Sequence, residues 1–237
     1  MAFAHRGGTD GAPENTLAAF EHAWELGYRY LETDVHLTRD GELVAFHDTD
    51  LARTCGVDAA IGDLTIDELR DIRVGGEHPI PLMTELFERF PAAHFNIDAK
   101  SDTTVTPLCD LVRRARAVDR VCLASFSQRR VDRMRSILGP GLMTNLGSIG
   151  VAQLRVFGRT FRRGHQSAQV PVRHGRIPIA DARFVRAAKH LGIPVHVWTI
   201  DDPVEMGRLL DLGVGGIMTD VTAALRQVFV ERDLWPT

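Results

Sequence analysis

The stretch Tyr30-Leu31-Glu32-Thr33-Asp34-Val35-His36 has the composition of a β-strand but carries two acids. Successive side chains of a strand point to opposite faces, so we expect Glu32 and Asp34 to project together. Two like charges on one partly buried face are unfavourable unless a cation neutralises them. Carboxylate oxygens suit hard ions such as Mg2+ and Ca2+. From this stretch alone, a metal site and a solvated acidic strand face both remain open.

The rest of the chain alternates short apolar runs with longer amphipathic segments, a pattern that favours parallel strands joined by crossover helices. We predict strands at 2–5, 30–35, 94–100, 121–126, 142–146, 167–170, 195–199 and 216–219. Helices are predicted at 15–26, 83–90, 106–117, 128–138, 149–161, 181–191, 203–212 and 222–231, with Asn15 as the N-cap of the first. Eight units predict an α/β fold of the (β/α)8 TIM-barrel type, in which residues 1–237 form a single domain. A doubly wound sheet is the alternative, but its Gly-rich turn after the first strand is missing.

Residues 37–82 do not fit this repeat. Thr38-Arg39-Asp40-Gly41 has the composition of a tight turn, and Leu43-Val44-Ala45-Phe46-His47 that of a returning strand. A strand reached by so short a connection must run antiparallel, which brings His47 back toward the acids. We therefore predict a small hairpin and lid insertion between the second strand and the second helix.

Barrel enzymes carry their active groups at the carboxyl ends of the strands. Here those ends supply carboxylates, two cationic side chains and an imidazole, joined by His47 from the hairpin. Acids could hold a divalent cation, Arg6 and Lys100 could bind phosphate, and imidazoles transfer protons near neutrality. The set predicted from the strand ends comprises His5, Arg6, Glu32, Asp34, Asp98, Lys100, Trp198 and Asp220, of which Asp220 is expected to cap a helix.

Composition and charge limit the classes of partner that the protein is expected to bind. The 237 residues are 44% hydrophobic and 25% charged, which is ordinary for a globular protein. A net charge of −3 without long runs of one sign does not indicate nucleic acid or an anionic membrane surface. The sequence predicts no signal peptide and no stable membrane insertion, so a cytoplasmic location is expected. It does not predict the oligomeric state.

Several short blocks of sequence, taken in chain order, match a known pattern. They are His5-Arg6-Gly7-Gly8, Pro13-Glu14-Asn15-Thr16, Glu32-Thr33-Asp34-Val35, His47-Asp48, Leu51 with Arg53-Thr54, Ile80-Pro81-Leu82, Asn96-Ile97-Asp98-Ala99-Lys100, Ser125-Phe126-Ser127, Trp198-Thr199 and Gly216-Ile217-Met218-Thr219-Asp220. The series resembles the signature of the glycerophosphodiester phosphodiesterase family and spans nearly the whole chain.

This resemblance implies a barrel hydrolase that needs one divalent cation, Mg2+ or Ca2+. Its substrates would be small glycerophosphodiesters, cleaved to an alcohol and sn-glycerol 3-phosphate. By matching position it implies acid/base catalysis by His5 and His47, metal binding by Glu32, Asp34 and Asp98, and phosphate contact by Arg6 and Lys100. Apart from the resemblance, the strand-end position of Trp198 favours a wall for the glycerol or head group over a place in the core. Asp98 departs from the family pattern, in which the third acid is usually Glu.

Two other functions stay open on the sequence. The same scaffold could serve a lysophospholipase D or a cyclising phospholipase, for which an apolar groove would be needed. A catalytically silent barrel that binds glycerophosphate is the third alternative, although such a protein would be expected to lose an acid or a histidine, and none is lost here.

Overall fold

The computed structural model describes residues 1–161, 164 and 166–235, which form a closed barrel of eight parallel strands with helices outside it. The strands are β1 (Ala2–Ala4), β2 (Tyr30–Leu37), β3 (Leu43–Ala45), β4 (Arg73–Val74), β5 (His78–Pro79), β6 (His94–Ala99), β7 (Val121–Ala124), β8 (Met143–Asn145), β9 (Gln166–Val170), β10 (Arg173–His174), β11 (Ile177–Pro178), β12 (Val195–Val197) and β13 (Gly216–Thr219). The barrel order is β1-β2-β6-β7-β8-β9-β12-β13, and β13 pairs with β1 to close it. The predicted (β/α)8 TIM barrel is confirmed.

The helices follow the predicted spacing. They are α1 (Leu17–Glu25), α2 (Ala52–Cys55), α3 (Ile66–Leu69), α4 (Met83–Arg89), α5 (Val105–Arg114), α6 (Gln128–Leu138), α7 (Ser148–Phe157), α8 (Ala182–His190), α9 (Pro203–Leu212) and α10 (Thr222–Glu231), with short 3-10 turns at His5–Gly7, Ile61–Asp63 and Val118–Arg120. Their apolar faces and the outward-facing residues of the strands form one continuous core. Within the described part of the chain, no helix combines the length and the apolar composition needed to cross a membrane.

The start of α1 differs from the prediction. The N-cap is Thr16, whose hydroxyl accepts a hydrogen bond from the Ala19 backbone N–H at 3.2 Å. Asn15 instead adopts a left-handed conformation with φ 55°, donates its backbone N–H to the Arg6 carbonyl, and accepts a hydrogen bond from Thr33 Oγ1. The side chain of Asn15 therefore connects α1 to β2 and is not available for the cap.

The insertion after β2 is a small packed unit. As predicted, β3 returns antiparallel along β2, with Val35 opposite Ala45 and Leu37 opposite Leu43. The remainder contains α2, α3 and the β4–β5 hairpin around a second apolar cluster, which comprises Val44, Phe46, Leu51, Ile61, Leu69, Val74 and Ile80. Because these side chains are buried together, the insertion holds a fixed shape beside the barrel.

His196 on β12 is buried without polar compensation. Its side chain is 4% exposed and packs against the Phe3 ring, with 4.9 Å between ring centroids. Neither ring nitrogen has a hydrogen-bond partner in the described part of the chain. Burial, aided by the N-terminal ammonium group, lowers the pKa of His196 to about 3.

We predict that the free energy of unfolding falls less at acid pH in His196→Leu than in the wild type. The pKa of His196 is lower in the folded state than its ordinary 6.5, so the unfolded chain binds a proton that the folded chain does not. The stability contribution is complete above pH 6.5 and falls as the pH drops toward 3, by up to ~1.4 kcal/mol per pH unit. Urea unfolding at pH 7 and about pH 5 should therefore show a fall roughly 2 kcal/mol larger in the wild type than in the variant. Equal falls in both proteins would contradict this.

Candidate active site

A cavity of about 570 Å3 opens at the carboxyl ends of the barrel strands. Eight of the side chains predicted for the site line it: His5, Arg6, Glu32, Asp34, His47, Asp98, Lys100 and Trp198. They come from β1, β2, β6, β12 and the insertion, so barrel closure and the antiparallel return of β3 bring them together.

The acids lie on two neighbouring strands. Glu32 and Asp34 are 5% and 3% exposed on β2, and the strand register places Asp34 opposite Asp98 and Glu32 opposite Asn96 on β6. Burial, followed by the nearby charge of Asp34, raises the pKa of Glu32. Burial also raises the pKa of Asp98, although the Lys100 ammonium opposes that shift. The barrel mouth therefore holds a buried excess of carboxylate.

Two cations lie among these acids. Lys100 Nζ is 2.7 Å from Asp34 Oδ1 and 2.9 Å from Asp98 Oδ2. Burial alone would lower the pKa of Lys100, but the two carboxylates outweigh it and raise the pKa. Arg6 Nε lies 3.2 Å from Asp34 Oδ2. Each cation thus faces the cavity while it neutralises an acid that a strand buries.

The residues present fit a hard cation at the β2 acids more closely than at Asp98. Asp34 Oδ2 is buried and has only the ion-pair contact with Arg6 Nε, with no hydrogen bond in the described residues, and Glu32 accepts a hydrogen bond from the Arg6 backbone N–H at 3.1 Å. Oxygen donors of this kind match Mg2+ and Ca2+. Across residues 1–161, 164 and 166–235, no three His, Cys, Asp or Glu side chains are already grouped as metal ligands. The third acid, Asp98, has its Oδ2 atom 2.9 Å from Lys100 Nζ.

His5 is oriented by an acid from the far end of the chain. Its Nδ1 donates a hydrogen bond to Asp220 Oδ1 at 2.7 Å, and its Nε2 lies 3.8 Å from Glu32 Oε2. Burial would lower the pKa of His5, but the Glu32 and Asp220 carboxylates together raise it. The Asp220 contact leaves Nε2 as the nitrogen available to a substrate.

The turn that carries His5 needs an unusual backbone. Arg6 has φ 53°, in the left-handed region, and Gly7 follows with φ 84°. A Cβ atom on Gly7 would lie 2.9 Å from the Phe20 backbone nitrogen of α1. Glycine therefore lets this turn pack directly on α1, which fixes the direction of the two side chains before it.

His47 is held in the same way as His5. Its Nδ1 donates to Asp48 Oδ1 at 2.6 Å, and Asp48 Oδ2 accepts from Arg53 Nε at 2.6 Å. Burial would raise the pKa of Asp48, but the hydrogen bonds from Arg53 and His47 lower it to about 2. The hydrogen bond to Asp48 commits Nδ1 of His47 to that carboxylate, so Nε2 is the nitrogen available to a substrate.

An ion-pair chain connects the insertion with the barrel. Glu14 Oε1 lies 3.0 Å from Arg6 Nη1 and 2.6 Å from Arg53 Nη2. Because Arg53 also binds Asp48, the chain runs from Arg6 at the cavity to the acid that orients His47. Glu14 therefore supports Arg6 from the side away from Asp34.

The opposite wall of the cavity is apolar. Trp198 meets Phe126 edge to face, with 5.9 Å between ring centroids. Further apolar lining comes from β8, α7 and the β10–β11 segment: Leu146, Val151, Val156, Ile177 and Ile179. A ligand bound here would have a charged end at the acids and an apolar end at α7.

Sequence reasoning missed the roles of three residues at this site. Asp220 was expected to cap a helix, but it binds His5, and α10 begins after Val221 without a side-chain cap. Asp48 and Arg53 were seen only as parts of matching blocks. The available signal was position, since Asp48 adjoins His47 and Asp220 directly follows β13.

Comparison with known sequences assigns the chain to a family. Residues 5–224 match the Glycerophosphoryl diester phosphodiesterase family. The chain is 35% identical over 244 residues to Probable glycerophosphodiester phosphodiesterase 2 of Mycobacterium tuberculosis, covering 99% of this chain and 92% of that protein. It is 30% identical over 263 residues to human Lysophospholipase D GDPD1, covering 94% of this chain and 84% of the human protein.

Solved structures share the fold. A glycerophosphodiester phosphodiesterase from Agrobacterium tumefaciens superposes with a TM-score of 0.79 at 24% identity, over 95% of this chain and 98% of that one. A phosphodiesterase from Oleispira antarctica, solved with its product sn-glycerol-3-phosphate, superposes with a TM-score of 0.81 at 23% identity, over 97% and 96% of the two chains.

We predict that Asp220→Asn lowers turnover while leaving substrate affinity nearly unchanged, because Asp220 orients His5 but does not line the cavity. The expected fall is roughly 10- to 100-fold, a part of the ~100- to 10,000-fold that positioned proton transfer contributes. Steady-state kinetics should show the change in kcat, with exposed Asp119→Asn as the matched control. An unchanged kcat in Asp220→Asn would contradict the proposal that Asp220 orients His5 for catalysis.

Proposed function

Because this chain belongs to the glycerophosphoryl diester phosphodiesterase family and is a phosphoric diester hydrolase, we propose that it cleaves small glycerophosphodiesters with a divalent cation and two histidines. The products would be an alcohol and sn-glycerol 3-phosphate, the molecule bound by the Oleispira antarctica enzyme. One observation carries this proposal. His5 and His47 line one cavity, each with Nδ1 on a carboxylate, beside buried acids and two cations.

Phosphate binding would fall to Arg6 and Lys100. The guanidinium group of Arg6 is planar and can contact two phosphate oxygens, whereas Lys100 contributes a point charge. Both already lie beside Asp34, and Glu14 holds Arg6 from the other side. These contacts restrict both cations before a substrate arrives, which reduces the entropy lost on binding.

Glu32, Asp34 and Asp98 would hold the cation, Mg2+ or Ca2+. When bound, such an ion withdraws electron density from a phosphoryl oxygen and compensates the buried negative charge. Support comes from the burial of both β2 acids and from Asp34 Oδ2, which has the Arg6 ion pair but no hydrogen bond within the described residues. Asp98 would have to exchange its contact with Lys100 for the ion, and Lys100 would then be free to turn to the phosphate.

Proton transfer would use the two Nε2 atoms. One imidazole removes the proton from the attacking water or hydroxyl, and the other gives a proton to the departing alkoxide. His5, with its raised pKa, carries a proton more readily near neutrality and suits the acid role. His47 has its Nδ1 proton held by Asp48 and suits the base role.

A cytoplasmic location stays a prediction from the sequence.

We predict that His5→Ala and His47→Ala each lower kcat by ~100-fold or more, because each removes one proton-transfer group. Exposed His190→Ala is the control for loss of a histidine that lies outside the cavity. Stability should change little in His47→Ala, whose side chain is about one-third exposed. Near wild-type rates in both variants at saturating metal would refute the assignment.

Removal of the metal gives a second test. Excess EDTA should abolish hydrolysis of glycerophosphocholine, and Mg2+ or Ca2+ added back should restore it, because the buried acids need a cation to organise the phosphate. Titration with each ion in turn identifies the preferred one. Activity that persists in excess EDTA would exclude a metal-dependent reaction.

A second candidate function is lysophospholipase D activity. The apolar wall of the cavity could accept an acyl chain, and the human relative bears that name. We predict that Val156→Asp lowers turnover of lysophosphatidylcholine more than that of glycerophosphocholine, because Val156 is exposed in this wall. Parallel assays of both substrates decide between them, and phosphorus NMR would reveal a cyclic phosphate if a substrate hydroxyl is the nucleophile. Equal effects on the turnover of both substrates would contradict an acyl-binding role for this wall.

A further inference from the structure

The exposed apolar residues of this protein are concentrated beside the cavity. Of eleven large hydrophobic residues exposed in the described part of the chain, six lie between positions 126 and 177: Phe126, Ile149, Val156, Phe157, Phe161 and Ile177. Scattered exposed hydrophobics are normal in soluble proteins, but a cluster that borders a cavity usually marks an interaction surface.

Helix α7 provides most of this surface. Ile149, Val156 and Phe157 are 56%, 59% and 64% exposed and follow the i, i+7, i+8 spacing of one helix face. Val156 also lines the cavity, as do Phe126 and Ile177, which are 59% and 56% exposed. The exposed apolar surface is therefore continuous with the mouth of the active site.

The position of α7 is fixed by polar contacts with the neighbouring elements. Arg155 Nε donates to the Pro178 carbonyl at 3.0 Å, and its Nη2 lies 3.0 Å from Asp181 Oδ2. Arg183 donates to the Val156 carbonyl at 3.1 Å. These bonds hold α7 against α8 and the β10–β11 hairpin. The apolar face of α7 therefore has a fixed position in the fold.

Positive charge predominates around this surface, although Asp181 pairs with Arg155 of α7. Residues 133–180 contain eight arginines and no Asp or Glu, whereas the rest of the chain contains 20 basic and 31 acidic side chains. Arg173 and Arg176 project from the exposed β10–β11 hairpin beside Ile177, and exposed Arg159 stacks on Phe161. Among the described residues, no carboxylate forms an ion pair with these three arginines. The net charge of the whole chain conceals this local excess.

We propose that the face formed by α7, Phe126 and the β10–β11 hairpin, here called the α7 face, docks the enzyme on an anionic lipid bilayer. Apolar side chains surrounded by arginines match such a surface, because the rings and aliphatic groups enter the interface while the guanidinium groups meet lipid phosphates. The mode is peripheral and reversible. Docking turns the mouth of the active-site cavity toward the source of lipid-derived substrates.

The test is sedimentation of the full chain with vesicles of phosphatidylcholine alone or mixed with phosphatidylglycerol. We expect the wild type to bind only the mixed vesicles, and raised salt to weaken that binding. Arg173→Glu with Arg176→Glu should reduce partitioning by about 25-fold or more, at roughly fivefold for each arginine lost. Ile149→Ser with Phe157→Ser should reduce it by about tenfold or more.

Matched controls lie at the opposite end of the barrel, where helices end. Exposed Arg114 is the last residue of α5 and exposed Leu191 follows the last turn of α8, so Arg114→Glu and Leu191→Ser should bind vesicles as the wild type does. Failure of the wild type to bind mixed vesicles, or equal binding by the face variants, overturns the proposal. So does a wild type that self-associates through the α7 face, detected as a lower mass for Ile149→Ser with Phe157→Ser in light scattering.

The outcome is separable from that of the proposed function, because the vesicle lipids are diacylated, unlike the proposed soluble substrates, and binding requires no turnover. Hydrolysis of soluble glycerophosphocholine, measured in parallel, should be retained by both double variants, whose side chains lie outside the cavity lining at Ile149, Phe157, Arg173 and Arg176. A wild type that binds mixed vesicles but hydrolyses no diester would sink the proposed function and support docking.

Discussion

Burial of two carboxylates on one face of β2 is the constraint on which the barrel mouth depends. Isolated charges in such a place would be costly, so the surrounding elements must supply positive charge or protons. Lys100 and Arg6 approach Asp34 within 3.2 Å, and His5 lies beside Glu32. Because each cation comes from the end of a different element, neutralising the acids also assembles the groups that can bind a phosphate.

The same requirement extends from the barrel to the insertion. Glu14 balances Arg6 and Arg53, and Arg53 in turn balances the acid that orients His47. The insertion has its own apolar core, so it presents His47 on a fixed support. Both histidines thus have one nitrogen committed to a carboxylate and the other directed by packing, the arrangement that proton transfer in either direction requires.

The cavity joins two kinds of surface. The walls from β1, β2 and β6 are charged, whereas those from α7 and the β10–β11 segment are apolar and lead to exposed hydrophobic side chains among arginines. A molecule with a phosphate at one end and an apolar group at the other would be oriented by this division alone. The charge of the site and the character of its entrance are therefore set by different parts of the chain.

Local patterns in the sequence determined the barrel class, the shared face of Glu32 and Asp34, and the return of His47, because strand parity, helical spacing and short turns act over a few residues. The tertiary structure alone decided which distant residues meet. Asp220 reaches His5 across 215 positions, Arg53 reaches Glu14 across 39, and Asn15 leaves the predicted cap to bind Thr33. These contacts depend on closure of β13 against β1 and on packing of the insertion, and no short stretch of sequence contains that information.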